Sequence, residues 1–363
     1  MKETGKGSAA TDETGAREAT RYLRDIERAL KAKTFRPHPL FRSGHAQTLA
    51  AFAWPRRFKH RHHARDETRL FAVEPDVNLL AHCRWQRERA RHPTLVVVHG
   101  LEGSSASVYM LSTANLAHRA GFNVLRLNQR TCGATEHLTP TLYNSSMSGD
   151  LAAVVRELAE RDKLSRIYLA GFSMGGNLAL KMAGELGAGA PPELRGVCAV
   201  SPALNLLECS TAIDHRRNWL YRQSFIRSLR RRVRIKQKLY PTLYDTQPLK
   251  HIRTLRQFDD SYTATHGGFR DADDYYERAS ALRYIAQIRT PTLIVHAQDD
   301  PLVPFASFND PAIRDNPYVI AVTPAHGGHV AFLSAHADER ERFWAENLLV
   351  EFCRRIEEAD DKG

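Results

Sequence analysis

The chain has 363 residues, 42% of them hydrophobic, 26% charged and 9% aromatic, which excludes a disordered or fibrous polypeptide and allows a sizeable core. No apolar run approaches the roughly 18 residues that a membrane span needs, and the polar start MKETGKGSAATDETG lacks the apolar stretch of a secretory signal, so a cytoplasmic location is expected. The formal net charge of +11 suits nucleic acid, anionic lipid or an acidic substrate, whereas five scattered cysteines without CxxC pairing argue against a zinc site or a disulfide frame.

After some fifteen polar residues expected to be mobile, REATRYLRDIERALKAK has a helical spacing that puts Tyr22, Leu23, Ile26 and Leu30 on one side, as a docking helix does. A Pro-containing connector leads to two strand candidates, around Leu70 to Val73 and Val77 to Trp85. TLVVVHG (94–100) then opens an alternation: helix 107–121, strand FNVLRLN (122–128), helix 149–162, strand RIYLAG (166–171), helix 177–186 and strand VCAVSPA (197–203). Strands apolar throughout and separated by single helices predict a mostly parallel sheet covered by helices on both faces, an α/β class. The order breaks until TLIVHA (292–297), far longer than an ordinary loop, which predicts a helical cap inserted before the strand that carries the acid. The expected division is an N-terminal extension and helix over 1–35, an α/β core over 36–205 and 290–363, and the cap over 206–289. A last strand near Tyr318 to Val322 and the helix ADERERFWAENLLVEFCRRIEE complete the sheet.

GFSMG (171–175) matches G-x-S-x-G where a strand turns sharply into a helix, the setting that strains a serine nucleophile at the C-terminal edge of a sheet and demands small residues at Gly171 and Gly175. A plain glycine-rich helix start is the weaker reading, given both flanking elements. Serine needs an imidazole to accept its proton. Among 17 histidines, PAHGGHVAFL (324–333) offers two on the loop leaving the last strand. His329 is favoured because it follows two glycines and precedes an apolar stretch, with His326 as the alternative base. The orienting carboxylate is expected between serine and histidine in chain order, within HAQDDPLVP (296–304). Asp300 is favoured, just before the chain turns back, and Asp299 is the alternative. HGLEGSS (99–105) offers an oxyanion site from the backbone N–H of Leu101 together with that of Met174, with Gly100 and Gly103 allowing close approach and His99 read as structural.

On FRSGHAQTL (41–49), HGLEGSS, LNQRTCG (127–133), LYNSSMSGDL (142–151), GFSMGGN, HAQDDP and GGHVAFL, the chain resembles the α/β-hydrolase superfamily. Within it the resemblance is to the YheT-like branch of predicted esterases, related to membrane-associated lipases with an α/β-hydrolase domain. The resemblance implies Ser173, Asp300 and His329 as charge-relay residues, ester hydrolysis, and neither a metal nor an organic cofactor. Thr131 stands where the usual N-x-RG-C-G pattern has glycine, a departure expected to alter that loop, and His45 has no evident chemical role.

A carboxylesterase acting on a small-molecule or lipid ester is thus the leading reading. The second is a lipase or phospholipase at an anionic membrane surface, because Arg227, Arg230, Arg231, Arg232, Arg234, Lys236 and Lys238 alternate with Phe225, Ile226, Leu229, Val233 and Ile235. A solvated helix face is the simpler account of that run. The third is a catalytically silent binding module on the same fold, held to nucleic acid by its basic surface; no nucleic-acid motif accompanies the charge, so no such partner is expected. KHRHHAR (59–65) is a poor metal site, since Lys59, Arg61 and Arg65 repel a cation and no carboxylate or thiol completes it.

Overall fold

The computed structural model describes residues 21–54, 56, 66–335 and 342–360; the polar N-terminal stretch, KHRHHAR and the start of the predicted last helix lie outside them. Eight strands form one sheet: β1 (Glu67–Glu74), β2 (Val77–Arg84), β3 (Thr94–Val98), β4 (Asn123–Leu127), β5 (Ile167–Phe172), β6 (Leu194–Val200), β7 (Thr292–Val295) and β8 (Val319–Val322). Their order across the sheet is β1-β2-β4-β3-β5-β6-β7-β8. β1, β2 and β4 are antiparallel neighbours, and all other pairings are parallel.

The central strands β3, β4 and β5 are buried at every position, and mostly apolar, because both faces are covered. Alternate side chains point to opposite faces. Val96, Val98, Leu169 and Ala199 pack with Leu151, Val154 and Leu158 of helix α4 (Ser148–Glu160) and with Leu178 and Met182 of helix α5 (Met174–Leu186). Leu95, Val97, Ala170 and Val200 face the other way. They meet Met110 and Ala114 of helix α3 (Val108–Arg119), Leu349 and Phe352 of the final helix (Trp344–Asp360), and Leu23, Ile26 and Leu30 of helix α1 (21–31). The N-terminal helix is therefore docked, as its apolar spacing predicts.

Two features depart from the expectation. The connector ahead of β1 contains a helix, α2 (Gly44–Ala53), started by Ser43, whose Oγ accepts the Ala46 N–H at 3.3 Å. Its apolar periodicity is weak because its buried residues are Gly44, Gln47 and Ala51, which is why the pattern gave no helix there. The segment 206–289 is helical as expected, with α6 (Leu206–Asp214) and α7 (Trp219–Leu239), but it also holds a π-helical turn, Asp259–Ala264, that no sequence pattern signals. Ile226, Leu229 and Val233 of α7 join Ile252, Phe258 and Tyr262 in an apolar cluster of this segment.

Register brings the loops together. Val98 pairs with Leu127 on one side and Gly171 on the other, Val200 pairs with Val295, and Val295 pairs with Val322. The chain that leaves each of these residues emerges at one edge of the sheet, where ligand sites of parallel sheets form.

Candidate active site

Ser173 lies between β5 and α5 with φ 53° and ψ −117°, a conformation unfavourable for any L-residue, at the N-cap of the helix. Packing holds it there. A Cβ on Gly175 would stand 2.5 Å from the His99 oxygen and 2.6 Å from the Val98 oxygen, and one on Gly171 would collide with the Gly175 backbone. Ser201 (φ 48°) and Val330 (φ 56°) are also strained, and the Val330 N–H donates to Ser201 Oγ at 3.1 Å. Strain of this kind gathers where surrounding structure over-determines a functional geometry.

Ser173 Oγ is 2.9 Å from His329 Nε2, and His329 Nδ1 is 2.8 Å from Asp300 Oδ2. The Asp300 side chain is fully buried, and its Oδ1 accepts the N–H groups of Leu302 (2.8 Å) and Val303 (3.0 Å). Burial by itself would raise the Asp300 carboxyl, but His329, His296 and the backbone donors hold it below the usual carboxylate value. The two alternative residues meet elsewhere: Asp299 Oδ2 is 3.2 Å from Nδ1 of the exposed His326, while its Oδ1 accepts the Gly328 N–H at 2.9 Å. Adjacent aspartates on the turn that follows β7 thus serve different partners.

Leu101 and Met174 border the same cavity as Ser173 and His329. The Met174 N–H is at the first position of α5, where no intrahelical acceptor exists. The cavity is lined mainly by apolar groups such as Leu206, Ile213, Phe225 and Leu302.

Several contacts escape sequence reasoning. Thr48 Oγ1, on α2, accepts the His329 backbone N–H at 2.9 Å, and Gln47 exchanges hydrogen bonds with Leu333, donating to its oxygen at 3.1 Å and accepting its N–H at 2.8 Å. The motif FRSGHAQTL therefore buttresses the histidine loop. His45 itself stacks on Tyr221 of α7, ring centroids 5.8 Å apart. His296 is buried behind the carboxylate, stacked on Phe308 at 3.7 Å and 3.8 Å from Asp300 Oδ2. Thr131, at φ 64°, keeps the left-handed turn that glycine would make more cheaply, and Arg232 holds it through its oxygen and Oγ1.

The basic run of α7 is split. Arg227, Arg231, Arg234 and Lys238 are exposed, whereas Arg232 and Lys236 are buried, Lys236 donating to the oxygens of Glu136 and Thr139. The expected basic face is therefore narrower than the sequence suggests. All five cysteines are free and buried, and among the described residues no helix is long and apolar enough to cross a membrane.

His99 is structural: its Nδ1–H donates to the Gly100 oxygen (2.8 Å) and its Nε2 accepts the Gln129 N–H (3.2 Å). Burial pushes His99 and His296 each from 6.5 down to about 4. Between those values the unfolded chain binds protons that the folded chain refuses, so their contribution is complete above about pH 6.5 and is lost as pH falls toward 4. Asp259, which burial pushes up to about 7, has the opposite slope over an overlapping window. The readout is therefore a difference in which Asp259 cancels. His99→Gln should lose less stability than the wild type in urea melts as the pH is lowered, by up to about 3 kcal/mol. Equal slopes would show that His99 does not titrate differently on folding.

The chain belongs to the alpha/beta hydrolase fold family, whose model matches residues 93–335. Its relatives are esterase- and lipase-like. It is 30% identical over 274 residues to the putative esterase YheT of Escherichia coli, covering 75% of this chain and 79% of that one. It is 30% identical over 247 residues to the phospholipase ABHD3 of Mus musculus, covering 68% of this chain but only 60% of that relative's length. Among solved structures, an esterase of Pyrococcus furiosus, Pf2001, has the same fold, with a TM-score of 0.53 at 19% identity over 83% of this chain and 98% of that one.

Proposed function

We propose that the protein is a serine hydrolase that cleaves carboxylic esters through an acyl-enzyme. The observation that carries this reading is the unbroken series Ser173 Oγ, His329 Nε2, His329 Nδ1 and Asp300 Oδ2, with contacts of 2.9 and 2.8 Å, at a largely apolar cavity. Asp300 keeps the Nδ1–H tautomer, which leaves Nε2 free to take the Ser173 proton as Oγ attacks the ester carbonyl. The backbone N–H groups of Leu101 and Met174 receive the oxyanion. The imidazolium then protonates the departing alcohol, and water deprotonated by His329 releases the acid. Segment 206–289 serves as the cap, since Leu206, Ile213, Phe225 and Leu255 line the cavity from it. Asp300→Asn should lower kcat by about ten-thousandfold through the wrong imidazole tautomer, and Asp299→Asn far less. Comparable losses would reject the assignment.

A second reading, action at an anionic lipid surface, is favoured by one observation. α2 and the start of α7 meet at His45 and Tyr221, and beside that contact Leu49 and Phe52 on one helix and Trp219 and Leu220 on the other are exposed. Exposed apolar groups near basic side chains suit a membrane interface. Sedimentation with phosphatidylcholine vesicles, with and without phosphatidylglycerol, should give salt-sensitive binding that Phe52→Ser with Trp219→Ser weakens at least about tenfold. No binding at low salt removes this reading and leaves the first intact.

A further inference from the structure

The cavity that borders Ser173 and His329 also borders Asp259, Tyr276 and Ser210, in a lining that is otherwise mostly apolar. Asp259 is buried, with Oδ1 accepting the Thr263 hydroxyl and Oδ2 accepting the Tyr276 hydroxyl, each at 2.7 Å. The Tyr276 oxygen lies 2.8 Å from Ser210 Oγ. A carboxylate offers about four lone-pair positions, so two donors leave it with acceptor capacity to spare.

Among the described residues no salt bridge reaches Asp259, and the charges that act on it most strongly are those of two other carboxylates, Asp214 and Asp260. Those two are engaged by backbone: Asp214 accepts the N–H groups of Leu255 and Arg256, and Asp260 accepts that of Ala272. Asp259 is the one that faces the cavity. A neutral amide could tie Thr263 and Tyr276 together without the cost of burying a carboxyl away from a counter-charge. Asp259 is also the first residue of the π-helical turn Asp259–Ala264, a distortion often found at functional sites.

We propose that Asp259, with the Tyr276 and Ser210 hydroxyls, forms a subsite for a hydrogen-bond donor carried by the ester, a hydroxyl or an ammonium, so that the preferred substrate is a functionalised ester and not a plain alkyl one. This rests on the ester-hydrolase reading of Ser173. A donor placed there completes the coordination of the carboxyl. A plain methyl leaves its spare acceptor positions desolvated and unfilled, which is how a polar subsite rejects an apolar analogue.

The test compares kcat/KM of the full chain for matched p-nitrophenyl esters, hexanoyl against 6-hydroxyhexanoyl and 6-aminohexanoyl. A second series, hexyl, 6-hydroxyhexyl and 6-aminohexyl acetate, puts the donor on the alcohol side. The wild type should favour a donor-bearing ester by about tenfold or more in at least one series, and the favoured arm tells hydroxyl from ammonium. Because the ratio is taken within each protein, a general loss of activity cancels. Asp259→Asn should bring the ratio close to unity. Tyr276→Phe, which keeps the ring and removes the second polar partner, should lower it several-fold and decides the matter if the aspartate variant does not fold. Turnover of plain esters with no preference in either series overturns the subsite alone, as does a preference that survives both substitutions. Failure of the wild type to turn over any ester or to react with a fluorophosphonate overturns the ester-hydrolase reading and the subsite with it.

Discussion

Ser173→Ala is expected to abolish covalent labelling by a fluorophosphonate, read by intact mass, and to lower kcat for p-nitrophenyl esters by roughly a million-fold, to the residue that binding and oxyanion contacts alone supply. The physical reason is local. Alanine keeps the strained turn, because the packing of Gly171 and Gly175 and not the hydroxyl enforces φ 53°, so the fold should survive while the attacking oxygen is lost. Unchanged Tm with lost labelling is the expected pair of results. Labelling that persists in the variant would place the nucleophile elsewhere. Failure of the wild type itself to label would bring forward a catalytically silent binding role for the same fold.

The largest expected effect on stability belongs to Arg232. Its Nε and Nη2 donate to the Glu102 carboxylate at 2.9 and 3.1 Å, and its Nη1 holds Thr131. Burial alone would raise the Glu102 carboxyl, but Arg232, Ser228 and Tyr143 hold it below its ordinary value. Arg232→Met leaves that carboxylate buried with its counter-charge gone, a change worth about 3–5 kcal/mol of destabilisation. The loss should be partly restored in Glu102→Gln with Arg232→Met, which removes the charge as well. A double-mutant cycle by urea unfolding measures this, and simple additivity would show that the two side chains do not act as a pair. Activity should fall too. Glu102 follows Leu101, its N–H donates to the Tyr143 hydroxyl at 2.7 Å, and its left-handed backbone (φ 55°) fixes the turn that carries the proposed oxyanion donor. Through Ser228 and Arg232, one carboxylate fastens α7 to that turn.

Much of the site is readable in the chain because its signals are short-range. The apolar runs at β3, β5 and β6, the G-x-S-x-G turn and the two glycines ahead of His329 depend on neighbours within a few residues. Strand period, turn chemistry and helix start are properties of such windows. The same locality explains the helix that was missed: α2 buries Gln47 in place of a stripe of leucines, so nothing periodic marks it.

By itself, then, the sequence determined the α/β order, the family, and Ser173 and His329 as the candidate pair, because backbone propensity and strand burial follow from residues near one another. Tertiary structure alone decided which of Asp299 and Asp300 meets His329, that Thr48 holds the histidine loop, and that Arg232 and Lys236 leave the basic run for the interior. It also decided that Asp259 borders the cavity. Each of these rests on partners brought together by packing, such as Arg232 with Glu102, or on which way a side chain leaves a turn. Neither is written in the spacing of a linear chain.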